Sequence, residues 1–405
     1  MDTQIPPSRP HGRQSILAEL QKLKMARSAH AYVRGNTVKF YEWLQTASGD
    51  LIPNGPPVWI CGDCHLGNLG PVASAKGRVE IEIRDLDQTV IGNPAHDLIR
   101  LALSVATAAR GSDLPGVTTA HILEQMMDGY EEGLAHPSGK PKKSDLTAPV
   151  QNVLKQALRR KWHHLASERI QDVSPTIPIG KRFWPLSVAE KREIKRLFKT
   201  EEMRHLITRL HNRDNDDEVR VLDAAYWVKG CSSLGRLRYA VLLGVGKQSH
   251  KEGCFCLVDI KEAVEAAAPR SPGAHMPRDN ASRVVEGACQ LSPFLGERMR
   301  AAHFLGREVV VRELLPQDLK LELDQLSRED ATAAARYLAA VIGKAHARQM
   351  EAASREEWQA DLQRHRSKNL DAPSWLWSSV VELMATHEVA YLEHCRKYAL
   401  EAGGS

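Results

Sequence analysis

Early in the chain, GDCHLGN at Gly62–Asn68 is followed by RDLD, which brings Asp85 and Asp87. Asp63 and Asn68 share one glycine-punctuated loop, and Asp85 follows a stretch that alternates apolar and polar residues, as a half-buried strand does. A hairpin there brings a carboxylate and an amide oxygen onto one hard cation. Mg²⁺ takes oxygen ligands, usually one or two of them carboxylates, and leaves the rest of its shell to phosphates and water. Asn68, Asp85 and Asp87 are therefore the expected metal ligands. Asp63 is left to accept a proton from an attacking hydroxyl. The bland alternative is a polar surface turn. It suits a lone Gly-Asp pair better than GDxHxxN followed by DxD.

A second set lies far downstream. GCSSLG at Gly230–Gly235 is flanked by β-prone segments, and Lys261 sits in the alternating stretch FCLVDIKEA. Small residues let backbone N–H groups approach phosphate oxygens, and Ser232 and Ser233 add donors. Gly230, Ser232, Ser233 and Gly235 are thus the expected phosphate-binding turn, with Lys261 neutralising the charge. The competing reading is a tight hairpin with a snorkelling edge lysine. Glu286, at the start of an expected helix, is the candidate to pair with Lys261. Glu262 is the lesser candidate, because adjacent strand residues face opposite ways.

The elements that must position these groups are legible in outline. Residues 14–45 space their apolar positions at three and four, as helices do, with a break at Gly35–Asn36. VWI enters the GDCHLGN loop, and AHDLIRLALSVATAAR is helical again. Residues 135–148 form a polar break. SPTIPIGKRFWP precedes a helix from about Ser187 to His211, and HNRDNDDE is the expected lobe boundary. VRVLDAAYWVKG, RLRYAVLLGV and CFCLVDIKEA read as an antiparallel meander. RVVEGACQL starts a helix, REVVVRELL is a strand, and helical patterns dominate from Ser327. The expected organisation is a helical unit over 1–212 with the catalytic hairpin, a β-rich unit over 213–326, and helices over 327–405 that pack back on the first.

Together these pieces resemble the protein-kinase and aminoglycoside-phosphotransferase superfamily: a GDxHxxN loop, a metal-binding Asp on the next hairpin, a glycine-rich turn and a strand lysine. The chain also resembles a bacterial family catalogued as a domain of unknown function, DUF2252. The matching stretches are YVRGNTVKFYEWL, GDCHLGNLG, RDLDQT, HDLIRLALS, GCSSLGRLRY, VDIKEA, RVVEGACQL, VVVREL and GKAHARQM. The resemblance implies an α+β, bilobal, kinase-like fold, with a larger helix-rich lobe and a small antiparallel β lobe. It implies ATP and Mg²⁺ between them, Asp63 as catalytic base, Asn68 and Asp85 on the metal, and Lys261 on the phosphates. The glycine turn and lysine follow the catalytic loop instead of preceding it, so the lobe order is permuted. Catalytic constellations depend on position in space, not on chain order. Asp87 stands where the protein-kinase DFG pattern has glycine, which points to a small-molecule acceptor.

Composition narrows the rest. With 405 residues the chain exceeds one small core, and 42% hydrophobic with 26% charged residues is ordinary for a globular protein. A net charge of +5, from 55 basic and 50 acidic side chains, fits an anionic ligand without demanding nucleic acid. The basic stretch Lys155–His164 lacks interleaved aromatics for base stacking. No apolar run of about 18 residues suggests a membrane span, and no signal-peptide core opens the chain. The 7 cysteines read as reduced thiols in a cytoplasmic protein. Cys61 and Cys64 make a CxxC that is better read as buried thiols than as zinc ligands. His65 is expected to orient the loop, and Arg34 with Asp97 to form a buried ion pair holding it, with Arg34 on a substrate phosphate as the rarer alternative. Arg312, His346 and Arg348 look cleft-lining, with no role assigned. The expected activity is phosphoryl transfer from ATP to a hydroxyl of a small molecule. Nucleotidyl transfer, a nucleotide-binding pseudokinase or interaction module, and a metallophosphoesterase are the rivals.

Overall fold

The computed structural model describes residues 10–46, 52–111, 116–139, 148–160, 176–209, 213, 217–231, 233–246, 255–318, 328–364, 366 and 372–398. Ser232, Cys254, Lys161–His164 and most of HNRDNDDE lie outside them.

The N-terminal helices run over Pro10–Met25, Ala29–Gly35 and Thr37–Leu44, so the break falls at Asn36 as the sequence suggests. Asn36 ends one helix and caps the next, its side chain accepting from the Lys39 N–H. Strand β1 (Val58–Ile60) pairs antiparallel with β4 (Val90–Gly92). Between them, β2 (Leu69–Ala73) and β3 (Val79–Ile83) form the expected hairpin. Asn93 accepts from the Ala95 N–H, and Pro94 opens the Pro94–Gly111 helix, where its missing N–H costs nothing.

The Gly116–Ala135 and Arg328–Ala347 helices pack along one another at backbone range. A Cβ on Gly129 would collide with the Arg336 carbonyl, one on Gly133 with the Ala340 carbonyl, and one on Gly343 with the Tyr130 carbonyl. This glycine-faced pair joins the last third of the chain to the first in one large core, with Leu98, Leu101, Met126, Leu338 and Ile342 at its centre.

The remaining unit is a six-stranded antiparallel sheet in the order β5-β6-β7-β8-β10-β9. Its strands are β5 (Phe183–Trp184), β6 (Val219–Trp227), β7 (Arg238–Val245), β8 (Phe255–Glu262), β9 (Met299–Phe304) and β10 (Arg307–Leu314). The meander β6-β7-β8 is formed as its β-prone segments and glycine-containing turns predict, and residues 228–237 between β6 and β7 carry the glycine turn. β5 and the helices Val188–Leu197 and Glu201–Thr208 pack on this sheet, so residues 183–208 share its core although the sequence boundary at 212 puts them on the other side. Ser187 and Glu190 close a capping box on the first of these helices, and buried Arg13 reaches Glu190 at 2.6 Å. The chain is a mixed α+β protein with open antiparallel sheets.

Glu82 on β3 is buried and accepts from Ser292 Oγ at 2.6 Å and from the Phe294 and Leu295 N–H groups at 3.3 Å. Burial pushes its carboxyl up to about 7, the hydrogen bonds opposing. Among the described residues no helix is long and apolar enough to cross a membrane.

Candidate functional site

Gly62 fixes the path of the first loop. Its φ of +73° belongs to the left-handed region, and a Cβ there would overlap the Gln88 carbonyl oxygen. Both sides of the Gly62 peptide are tied down. Tyr41 donates its hydroxyl to the Gly62 carbonyl at 2.5 Å, while the Cys61 and Gly62 N–H groups donate to Asp97 at 2.7 and 2.9 Å. Asp97 is fully buried and takes a third bond, from His346 Nε2 at 3.2 Å. His346 Nδ1 meets the Tyr130 hydroxyl at 3.0 Å, and the Trp358 indole donates to that same oxygen at 3.2 Å. The indole can only donate, so the neutral chain runs Trp358 to Tyr130 to His346 Nδ1, with Nε2–H on Asp97.

So Asp97 holds the loop, but not through Arg34. The expected Arg34–Asp97 pair is absent because the carboxylate is already filled by backbone donors. The arginine that serves the loop is Arg100, one turn further along the same helix. Its Nε donates to Asp63 Oδ1 at 2.9 Å and its Nη2 to the Val33 carbonyl at 2.7 Å. Asn68 turns its amide N–H groups onto the Asp63 carbonyl at 3.2 Å and the Asp85 carbonyl at 2.7 Å. Its Oδ1 accepts no hydrogen bond from the described residues.

Asp63, His65, Gly67, Asn68, Asp85 and Asp87 line one cleft, and Lys229, Gly230, Cys231 and Ser233 line it from the β-rich unit. Lys261 closes it. Its Nζ donates to Asp85 at 3.0 and 3.1 Å and lies 2.5 Å from Asp87 Oδ2. Two carboxylates thus share one ammonium. Burial works to raise the Asp85 carboxyl, but Lys261 and Arg312 carry it well below the usual range; Asp87 is raised by burial and by Asp85 itself.

The wall beneath is an Arg–Asp cluster. Fully buried Asp259 receives Arg238 through two bonds of 3.0 and 2.6 Å, and Arg312 at 3.4 Å. Burial opposes its ionisation, yet Arg238 and Arg312 hold it below the ordinary carboxylate range. Arg312 also donates to the Arg84 carbonyl at 3.0 Å, linking the sheet to the RDLD segment. His65 is buried beside Asp63 and pushed down to about 4, mainly by burial, so it is neutral near pH 7.

The glycine turn needs its glycines. Gly230 has φ +97° and packs on Ser233 Oγ, and Gly235 has φ +95° beyond the cleft lining. Lys24 donates to the Gly230 carbonyl at 2.6 Å.

Glu286 is not at Lys261. It is exposed on the Asn280–Leu291 helix, whose inward face presents Arg283 three residues earlier. Arg283 satisfies the carbonyls of Thr89, Asp87 (3.1 Å) and Val264 (2.8 Å), so the helix phase is set by an arginine that can reach three acceptors at once. Glu262 accepts from the Leu237 N–H at 2.8 Å and faces away, as strand alternation requires. Cys61 and Cys64 are buried free thiols; the Cys64 thiol is pushed up by its bond with Cys61 and by burial.

Sequence reasoning missed the Asp97–His346–Tyr130 network, Arg100, Arg283 and the Asp259 cluster. Arg100 had a local signal, since it sits three residues after Asp97 on one helix face. The others join residues too distant in the chain to show any periodicity.

Fold and site together define a mixed α+β protein whose charged cleft is built from both parts of the chain. The chain belongs to the family described as an uncharacterized protein conserved in bacteria, DUF2252, whose model matches residues 13–397. No curated protein and no solved structure matches it.

Proposed function

We propose that this protein is an ATP- and Mg²⁺-dependent phosphotransferase, acting on a hydroxyl of a small acceptor. The observation that carries the reading is the meeting of two sequence-distant sets in one cleft. Asp63, Asn68, Asp85 and Asp87 stand opposite Gly230 and Ser233, and Lys261 bonds Asp85 and Asp87 across 176 and 174 positions respectively.

The donor set fits the metal. Oxygens of Asp85 and Asp87 already converge on a cation, the Lys261 ammonium, and Asn68 Oδ1 accepts from none of the described residues. All three offer oxygen, as Mg²⁺ requires. Bound there, the ion would neutralise phosphate oxygens. Asp63, held by Arg100, would orient the acceptor hydroxyl and take its proton. The glycine turn would offer N–H groups to phosphates, and Lys261 would move from carboxylates to phosphate oxygens. A glycine turn between the first two strands of a meander and a lysine on the third is the kinase arrangement of these parts. The two-lobed, permuted description belongs to the same proposal, as does a cytoplasmic location.

The test is calorimetric titration with ATP, with and without Mg²⁺, on wild-type protein and Lys261→Ala. Mg²⁺-dependent binding that weakens in the variant supports the reading. A folded wild-type sample that binds no nucleotide overturns it. Asp85→Ala then separates binding from turnover: it should abolish transfer in an acceptor screen.

A further inference from the structure

Among the described residues, the arginines that are buried or nearly so share a habit. Arg13, Arg100, Arg238, Arg283, Arg298 and Arg312 each end on carboxylates or carbonyls at hydrogen-bond distance. Arg34 does not. It lines the cleft, yet it makes no hydrogen bond or ion pair with any described residue, and its Nε is buried without an acceptor.

Its geometry is nevertheless fixed. A Cβ built on Gly67 would sit 2.9 Å from Cζ, 2.9 Å from Nη2 and 3.1 Å from Nη1, so the guanidinium lies flat against this glycine of the GDCHLGN loop. On the other side, Gly35 packs toward Cys231 of the glycine turn, whose Sγ would be 3.1 Å from a Cβ there. Arg34 therefore lies in a cleft lined by both loops, one face against Gly67 and its donor edge uncommitted among the described residues. A packed guanidinium with an open fork is pre-organised for two parallel N–H···O bonds to an oxyanion. The cleft adds no competing carboxylate for it, since Asp63 is bonded by Arg100, Asp85 and Asp87 by Lys261, and Asp259 by Arg238 and Arg312.

We propose that Arg34 is an oxyanion receptor that binds a phosphate-type group between the GDCHLGN loop and the glycine turn. The group comes either from the terminal phosphate of the nucleotide or from an anionic acceptor. The binding site stands on Arg34 and its surroundings; its place in phosphoryl transfer rests on the function proposed above. A polycationic acceptor is disfavoured, because Arg34, Arg84, Lys229, Arg238 and Arg312 outnumber the three carboxylates lining the cleft.

The experiment titrates the full chain with inorganic phosphate at low ionic strength, alone and with saturating ADP and Mg²⁺. Wild type, Arg34→Gln and Arg34→Lys are compared, with thermal melts to verify folding. Loss of the two charge-assisted bonds predicts phosphate affinity roughly 10- to 100-fold weaker in Arg34→Gln. Arg34→Lys retains the charge but not the fork and should fall between. If ATP but not ADP binding weakens in Arg34→Gln, the nucleotide supplies the group. If both nucleotides bind as before while phosphate beside ADP is lost, the acceptor supplies it. Equal phosphate binding by all three proteins, or none by wild type, overturns the proposal. Phosphate binding that depends on Arg34 in a protein that binds no nucleotide would keep this site and discard the transferase reading.

Discussion

Replacing Asp97 by Asn probes how the GDCHLGN loop is held. The carboxylate is fully buried and accepts three bonds: Oδ2 from the Cys61 N–H and His346, and Oδ1 from the Gly62 N–H. An asparagine keeps nearly the same shape but turns one acceptor into a donor. With its oxygen toward Cys61 and His346, its amide N–H₂ faces the Gly62 N–H, donor against donor. The flipped rotamer leaves Cys61 and His346 unmatched instead. One buried donor left unpaired costs about 1–3 kcal/mol, and weakening the remaining charge-assisted bonds adds about 1 kcal/mol. The loss should total about 2–4 kcal/mol, which lowers Tm by roughly 2–5 °C for a chain of 405 residues. Because the damage is centred on the Cys61–Gly62 backbone, any Mg²⁺-dependent nucleotide binding should weaken as well. Differential scanning calorimetry beside ATP titration reads both. A variant that melts within about 1 °C of wild type would refute the claim that Asp97 organises the loop, since no rotamer of asparagine satisfies all three donors.

Three further outcomes follow from the geometry. Gly62→Ala should sharply reduce soluble, folded protein, because left-handed backbone costs roughly 1–2 kcal/mol and the Cβ overlaps the Gln88 carbonyl; wild-type yield and melting would contradict this. Glu286→Ala should leave nucleotide binding within about twofold of wild type, as the side chain is exposed and away from Lys261; a large loss would put Glu286 back in the site. Glu82 provides a pH test. Burial holds its folded carboxyl at about 7, above the ordinary glutamate value of 4.5, so its contribution is fully present below about pH 4.5 and is lost as pH rises through 7. Relative to Glu82→Gln, wild type should therefore lose about 3 kcal/mol between pH 4.5 and 8. Denaturant midpoints at several pH values measure it, and a pH-independent difference between the two proteins counts against a buried, raised carboxyl.

Much of the site could be read from residue types and spacing. Asp63, Asn68, Asp85 and Asp87 lie on a local hairpin, where chain proximity nearly guarantees spatial proximity. The meander around Lys261 was legible because its three segments are β-prone and the turns between them carry glycine. What failed was the helix phase. Glu286 and Arg283 share one helix, and only the carbonyls of Thr89, Asp87 and Val264 decide which of them turns inward. The Asp97–His346 bond spans 249 positions and leaves no periodic trace. β5 has two residues, too few for alternation to register. Arg34 was visible as a residue but not as an uncommitted one, because the absence of a partner is a property of the surroundings and not of the sequence.

The helix pair sealed by Gly129, Gly133 and Gly343 has a consequence for how the protein is made. Tyr130 and His346 are 216 positions apart, so at translation rates of about 5–20 residues per second the second helix leaves the ribosome on the order of 10–40 s after the first. Through that interval the glycine face of the Gly116–Ala135 helix has no partner, Asp97 lacks His346, and the whole sheet is synthesised in between. The nascent chain must keep an apolar, backbone-exposing surface soluble until the Arg328–Ala347 helix arrives. Truncation after residue 318 removes that second helix and leaves the glycine face of the first without its partner.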